Sequence, residues 1–484
     1  MEKHTSAVSS TVYGTHGSGE ADRSQASFAQ VAPVFQAALL LGAGGGFLLA
    51  SVLTVTSMSG VPLGTWWLAL AQAHGNLQMF GWAGLFVVGV SLHFLPRLRG
   101  APLVATWPIR WIIWGQAVAL CLRAVVQPWL ALTNQILAKT VLVGSGLLEC
   151  LTLLSIVLLL GLTLRRGPEL AKRPAFGHTL PLIACAFMCL GLAGVINLVN
   201  LWQIEGGIVS ATGDQLFITL GLFGFLLPMA LGMSARSLPM YAGLNAFPPR
   251  QLLFLAFTYL SGLFVFCMGI LAGWPEAKGA GMMLLGVIVA MFVLVFVRIM
   301  LTRGKLPHRV ARLASEPAVR ARAYRARVAQ ERSRYGPFVA LIASAYLWAV
   351  VGGLFLITNG LFELFGQAAP LADDAIRHAL TIGFVSLLIC GIAPRMLPGF
   401  SGGTIRSARL VSATLWLGNL AALLRVGSLV FAPWLIFGPL NLGQIAFGCS
   451  GILGLALAVC LAYNLWPVLR SPQSHAVALL EEQS

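Results

Sequence analysis

Histidine is scarce in this chain, and its placement limits the chemistry open to it. Of eight histidines in 484 residues, His4, His16 and His475 lie in polar ends and His178 and His308 between apolar runs. Only His74, His93 and His378 fall inside long apolar runs, with His93 near an inner end. Ionisable groups within a membrane span are costly and usually serve a purpose. His74 and His378 stand near the outer ends of the second and tenth runs, and Asp214 near that of the sixth. Each lies within about three helical turns of the surface, at roughly 1.5 Å per residue. Imidazole is an axial ligand for haem iron, and two imidazoles facing one another across a bundle could share one haem. Asp214 could then orient an imidazole through a hydrogen bond. The plainer alternatives are hydrogen-bonded packing for each histidine and a solvated loop acid for Asp214.

The inner ends of the same three helices share a second pattern: Arg or His, any residue, Leu, Pro, and Gly four residues after the Pro. It occurs as His93-Phe94-Leu95-Pro96 with Gly100, Arg236-Ser237-Leu238-Pro239 with Gly243, and Arg395-Met396-Leu397-Pro398 with Gly402. Pro is expected to stop the helix, Gly to permit the turn, and the basic residue to sit where the helix dipole favours it. Arg236 and Arg395 could also bind an acidic group, such as a haem propionate or a lipid phosphate. The pattern makes the chain three units of four helices, with the second, sixth and tenth helices as equivalents.

Composition requires the elements that position these residues to be membrane helices. The chain is 58% hydrophobic and 10% charged, with mean hydropathy +0.85. A soluble protein is nearer a quarter charged. The apolar residues fall into about twelve runs, most reaching the roughly 20 residues that span a bilayer as a helix. The fold class is therefore all-α: a polytopic bundle of about twelve transmembrane helices within residues 31–470. Trp66, Trp67 and Trp82 flank His74 and read as interfacial belt and packing residues. The eight cysteines lie inside spans with no disulfide or zinc spacing, and read as packing material.

The net charge of +16 is distributed by loop. Arg97, Arg99, Arg165, Arg166, Lys172, Arg173, Arg250, Arg406 and Arg409 follow even-numbered helices, and the linker 303–335 holds ten more Lys or Arg residues. Loops after odd-numbered helices carry Glu205, Asp214, Glu276, Asp373 and Asp374 instead. This is the positive-inside pattern. It places the even-numbered loops, the linker and both ends (1–30, expected to be disordered, and 471–484) in the cytoplasm. The linker reads as a connector touching anionic lipid, with no nucleic-acid partner.

Three segments resemble a known family, and they stand in family order between about residues 66 and 403. His74-Gly75-Asn76-Leu77-Gln78-Met79-Phe80-Gly81 resembles the first signature of the NnrS family, in which two histidines two residues apart precede Phe-Gly. Arg236-Ser237-Leu238-Pro239-Met240-Tyr241 resembles its central stretch. His378-Ala379-Leu380-Thr381-Ile382-Gly383, running on to Arg395, Gly399 and Gly402, resembles its C-terminal signature. The resemblance implies a bacterial inner-membrane protein of twelve helices that holds haem and copper and takes part in the response to nitric oxide. Ala73-His74-Gly75 is also similar to the haem-ligand helix of haem–copper oxidase subunit I. In that reading His74 and His378 are the iron ligands, and a small gas such as nitric oxide is a candidate ligand.

Two positions depart from the family pattern: Asn76 and Phe400 stand where the family has histidines. Any metal held there is in doubt, copper first. An oxidase-type copper centre needs three imidazoles beside a haem, and the spans do not furnish three spare histidines. Met229, Met233, Met240 and Met396 cluster near the inner ends and could hold Cu(I), a soft ion, although core filling is the ordinary role of Met. Among the other polar residues within spans, Glu149 with Lys139, or Glu363 near Asn359, could form a proton or ion path. Two functions stay open: a haem-bearing redox or nitric-oxide-handling protein, and a transporter of a small solute or metal. Transporters commonly show two repeated halves, whereas this repeat is threefold.

Overall fold

The computed structural model describes residues 27–242, 245–301, 326, 328–431, 434–437 and 440–470. The expected tail 471–484, most of the tail 1–30 and most of the linker lie outside the described residues, as does Gly243. Twelve helices among the described residues are long and apolar enough to cross a membrane, and the protein is a multi-pass membrane protein. They are α1 (Phe28–Met58), α2 (Thr65–Arg99), α3 (Pro108–Thr133), α4 (Ile136–Arg165), α5 (Leu180–Trp202), α6 (Ala211–Pro239), α7 (Pro249–Ala272), α8 (Pro275–Leu301), α9 (Phe338–Leu364), α10 (Asp373–Ser401), α11 (Ala408–Val430) and α12 (Leu442–Arg470). A hairpin pairing Ile436–Phe437 with Leu440–Asn441 joins the last two. The first helix starts earlier than its hydropathy suggested. Ser27 and Gln30 form a capping box, so 28–30 belong to the helix and not to the N-terminal tail.

Each helix packs on the next in sequence, and α12 packs on α1 to close the ring. Inside it stand α2, α6 and α10, 83%, 83% and 78% buried, against 33–56% for the other nine. Lipid tails are as apolar as Leu, so close backbone approach replaces the hydrophobic effect in holding such helices together. Between α8 and α9, for example, a Cβ on Gly286 would lie 2.5 Å from the Gly353 carbonyl oxygen.

The three inner helices share one distortion. Each contains a π-helical stretch, at Leu77–Ala83, Leu220–Leu226 and Ala379–Ser386. Each stretch begins nineteen residues before the proline of the repeat, Pro96, Pro239 or Pro398. The register aligns Gly81, Gly224 and Gly383. A Cβ at Gly224 would meet Cys189 Cβ of α5 at 2.6 Å, and one at Gly383 would meet Trp348 Cγ of α9 at 2.6 Å. These glycines let a neighbouring helix approach the bulge. The proline does not end the helix, as its sequence pattern suggested. Helix continues to Arg99 in α2 and Ser401 in α10, and past the apolar span of α6 to Ala242. Gly100 (φ 72°) and Gly402 (φ 73°) make the left-handed stop after the first and third.

The loops after even-numbered helices share one face. Arg99, for example, donates from the end of α2 to the carbonyls of Leu164, Gly167 and Pro168. Ion pairs Lys278–Glu363 and Arg425–Asp374 lie toward the opposite face.

Candidate functional site

A cavity of about 590 Å³ opens between α1, α2, α6, α10, α11 and α12, and His74, His378 and Asp214 all line it. Its wall is mostly apolar, with a polar group at the end away from the basic loops: Gln72, Asp374, Arg377 and Arg425. Trp82 Nε1 donates to Ser386 Oγ at 3.2 Å and ties α2 to α10 across it. Trp82 is thus a buried cross-link in the wall, not a belt residue. Such a volume falls within the roughly 300–1,000 Å³ usual for cofactor pockets.

The two imidazoles are held alike. His74 Nδ1 lies 2.8 Å from the Gly46 carbonyl oxygen, at the end of a π-helical stretch Gly42–Gly46 in α1. His378 Nδ1 lies 2.8 Å from the carbonyl oxygen of Asp374 and 3.1 Å from its Oδ1. A carbonyl can only accept, so each Nδ1 donates, and in a neutral imidazole that leaves the Nε2 lone pair free. This is the arrangement in which a histidine binds a metal while its other nitrogen fixes the ring.

The repeat register explains how both rings reach one cavity. It aligns His378 with Asn76 and Thr219, and His74 with Phe217 and Ile376. The two histidines are therefore not equivalent positions but stand two residues apart, at nearly matching depth on equivalent helices. Equivalent residues would point the same way round the threefold axis. A shift of two residues turns a side chain by roughly 200° and changes depth by only about 3 Å, so both can look into the compartment between α2 and α10. Asp214 is likewise no counterpart of either: it aligns with Ala71 and Asp373.

The acid that orients an imidazole is Asp374, one turn before His378. Its Oδ2 accepts from Arg425 Nη2 at 2.8 Å, which makes a chain from Arg425 through Asp374 to His378. The i, i+4 spacing of Asp374 and His378 on one helix could have revealed the pair. The run Gly42–Gly46 was the matching sign for the other histidine. Arg425 also covers the Phe447 ring at 4.0 Å, and its Nε and Nη1 are buried with no hydrogen-bond partner among the described residues.

Arg236 and Arg395 lie at the far ends of their helices and do not line this cavity. Arg395 stands 4.9 Å over the Tyr335 ring and 3.9 Å from Glu331 Oε1, and so anchors the end of the linker. Arg236 is half-buried on α6. Met229, Met233 and Met396 surround an apolar pocket between α2, α6 and α10. Phe400 packs on His93 with ring centroids 4.0 Å apart, inside an aromatic cluster with Phe28 and Phe94. Among the described residues no group of three or more His, Cys, Asp or Glu is placed to hold a metal ion.

No family model and no curated protein matches the chain. Its fold is similar to a haem–copper terminal oxidase resolved as a dimer by cryo-electron microscopy. The match has a TM-score of 0.56 and 12% identity, and covers 93% of this chain and 84% of that one. At that identity the likeness is one of fold.

Proposed function

We propose that the protein is a haem-bearing membrane redox protein of the NnrS type, with one haem held between His74 of α2 and His378 of α10. The observation that carries the reading is the matched pair of imidazoles on one cavity, each with Nδ1 tied back and Nε2 available. The donor set fits haem: two imidazoles that would bind the iron, mostly apolar walls for a porphyrin, and at the polar end Arg377 and Arg425, the latter with two unpartnered donors that would suit propionates. It does not fit an oxidase-type copper centre, and no step here involves copper.

Haem supplies reversible one-electron chemistry. The chain supplies its position and surroundings: the Gly46 and Asp374 carbonyls fix the imidazole planes, the Arg425–Asp374 pair braces His378, and the apolar walls limit water. Held by both His74 and His378, a haem would serve electron transfer. The segments resembling the NnrS family add a role in the response to nitric oxide. The same resemblance implies a bacterial inner-membrane location, and the loop charges support an orientation with both termini in the cytoplasm.

The test is optical. Purified protein should show a Soret band with low-spin, six-coordinate character, and His74→Ala and His378→Ala should each shift or weaken it. An unchanged spectrum in both variants places the haem elsewhere. Absence of any Soret band after growth with ample haem refutes the proposal and favours a solute transporter.

A further inference from the structure

Behind the His74 side of the cavity, α2, α3, α4 and α5 enclose a polar network within the membrane-spanning part of the fold. At its centre is Glu149 of α4, 1% exposed. Its Oε2 accepts from Asn76 Nδ2 at 3.0 Å and Asn197 Nδ2 at 2.8 Å, and its Oε1 from Gln116 Nε2 at 3.4 Å. The charge that balances it is one residue removed. Arg123, 2% exposed, donates to Asn197 Oδ1 and to Gln127 Oε1, not to Glu149 itself. Gln127 in turn donates to Gln72 Oε1 at 2.9 Å. Gln72 and Asn76, one turn apart on α2, both line the cavity, so the network leaves the cavity wall and returns to it.

This network is costly. A carboxylate and a guanidinium out of water lose several kcal/mol of solvation each, and here they do not touch. Amides alone surround the carboxylate, and one of them is incomplete: Asn76 Oδ1 is buried without a partner. That orphan acceptor gives the Glu149 carboxyl a hydrogen-bond partner in either protonation state. Ionised, Glu149 accepts three N–H donors. Protonated, it has an O–H to donate, and rotation of the Asn76 amide brings Oδ1 round to receive it.

We propose that Glu149 is a redox-linked proton site: it takes up one proton from the cavity side, past Asn76, when the haem between His74 and His378 accepts one electron. The inference rests on the haem reading above. The balance is simple. A one-electron reductant supplies the electron, ferric haem becomes ferrous, and Glu149 carboxylate plus a proton from water becomes the carboxylic acid, so the buried region keeps its net charge. The other charged or titratable groups facing the network are Arg123 from α3, Cys150 beside Glu149 on α4, His74 on the cavity side of α2, and Asp214 of α6, within electrostatic reach of Arg123. α5 presents only Asn197.

The test is spectroelectrochemical titration of the purified haem-loaded protein between about pH 6 and pH 9, with Glu149→Gln, Glu149→Asp and the remote Glu363→Gln. One proton per electron is a tenfold change per pH unit, or ~59 mV. The parent and Glu363→Gln should approach that slope over part of the range, Glu149→Asp should keep a slope at shifted pH, and Glu149→Gln should be flat. Reduced-minus-oxidised infrared spectra should show a carboxylic-acid band that shifts in D2O and is lost in Glu149→Gln. This arm on the parent protein decides the matter if Glu149→Gln does not fold. A flat parent profile, no such band, or a slope that survives Glu149→Gln overturns the proposal while leaving the haem reading intact. Protein that binds no haem overturns both.

Discussion

Removing the Asp374 carboxylate separates its two roles, bracing His378 and pairing with Arg425. In Asp374→Ala the Nδ1–Oδ1 contact at 3.1 Å is lost, but the backbone carbonyl of residue 374 still accepts from His378 at 2.8 Å. Loss of a partner behind a metal ligand typically costs ~10–100-fold in affinity. With one of two acceptors kept, haem release should accelerate about 10-fold, at the low end of that range. The stability cost comes from Arg425. Its 2.8 Å pair with Asp374 is 15% exposed on the arginine side and 40% on the aspartate side. At an effective dielectric of about 20, charges ~4 Å apart interact by ~4 kcal/mol. The open aspartate side is screened by water, which brings the expected coupling to ~1–3 kcal/mol. The assay is a double-mutant cycle of Asp374→Ala, Arg425→Ala and both, read by reversible unfolding in mixed micelles and by haem transfer to a scavenger protein. Single changes that add to within about 0.5 kcal/mol would mean no coupling and refute the bracing argument.

Four further outcomes are expected. Gly383→Ala should lower stability by ~1–3 kcal/mol, because its Cβ would lie 2.6 Å from Trp348 Cγ. Gly399→Ala, with nothing within 4 Å, should not, and equal thermal stability of the two variants would sink the packing argument. Arg377→Ala should shift the haem midpoint potential and Arg395→Ala should not, since only Arg377 lines the cavity; the reverse result would put the propionates at the basic face. Trp82→Phe should cost about 1 kcal/mol for its hydrogen bond to Ser386, and Ser386→Ala should cost nothing more in that background. A reporter fused after Ser484 should be active only in the cytoplasm, and periplasmic activity would reverse the topology.

The membrane class, the twelve spans and the threefold repeat were legible in the sequence because each depends on local composition. Apolar length sets a span, and Pro with Gly at fixed spacing marks equivalent helix ends. His74 and His378 stood out for a related reason: an imidazole is conspicuous in an apolar run. Which neighbours those residues meet was a different kind of question. Asp374 read as a loop acid, because its contact with Arg425, 51 positions further along the chain, closes only when α10 packs on α11. Arg236 and Arg395 fitted an acidic ligand by residue type, yet their height on the helix puts them beyond the cavity. The π-helical stretches were invisible to a reading based on 3.6-residue periodicity, since they form where a neighbouring helix accepts the displaced backbone. They also set the turn of α2 and α10 against the rest of the bundle. Sequence thus determined which helices carry the histidines; helix rotation and packing decided that the two rings share one cavity and that Asp374, not Asp214, stands behind one of them.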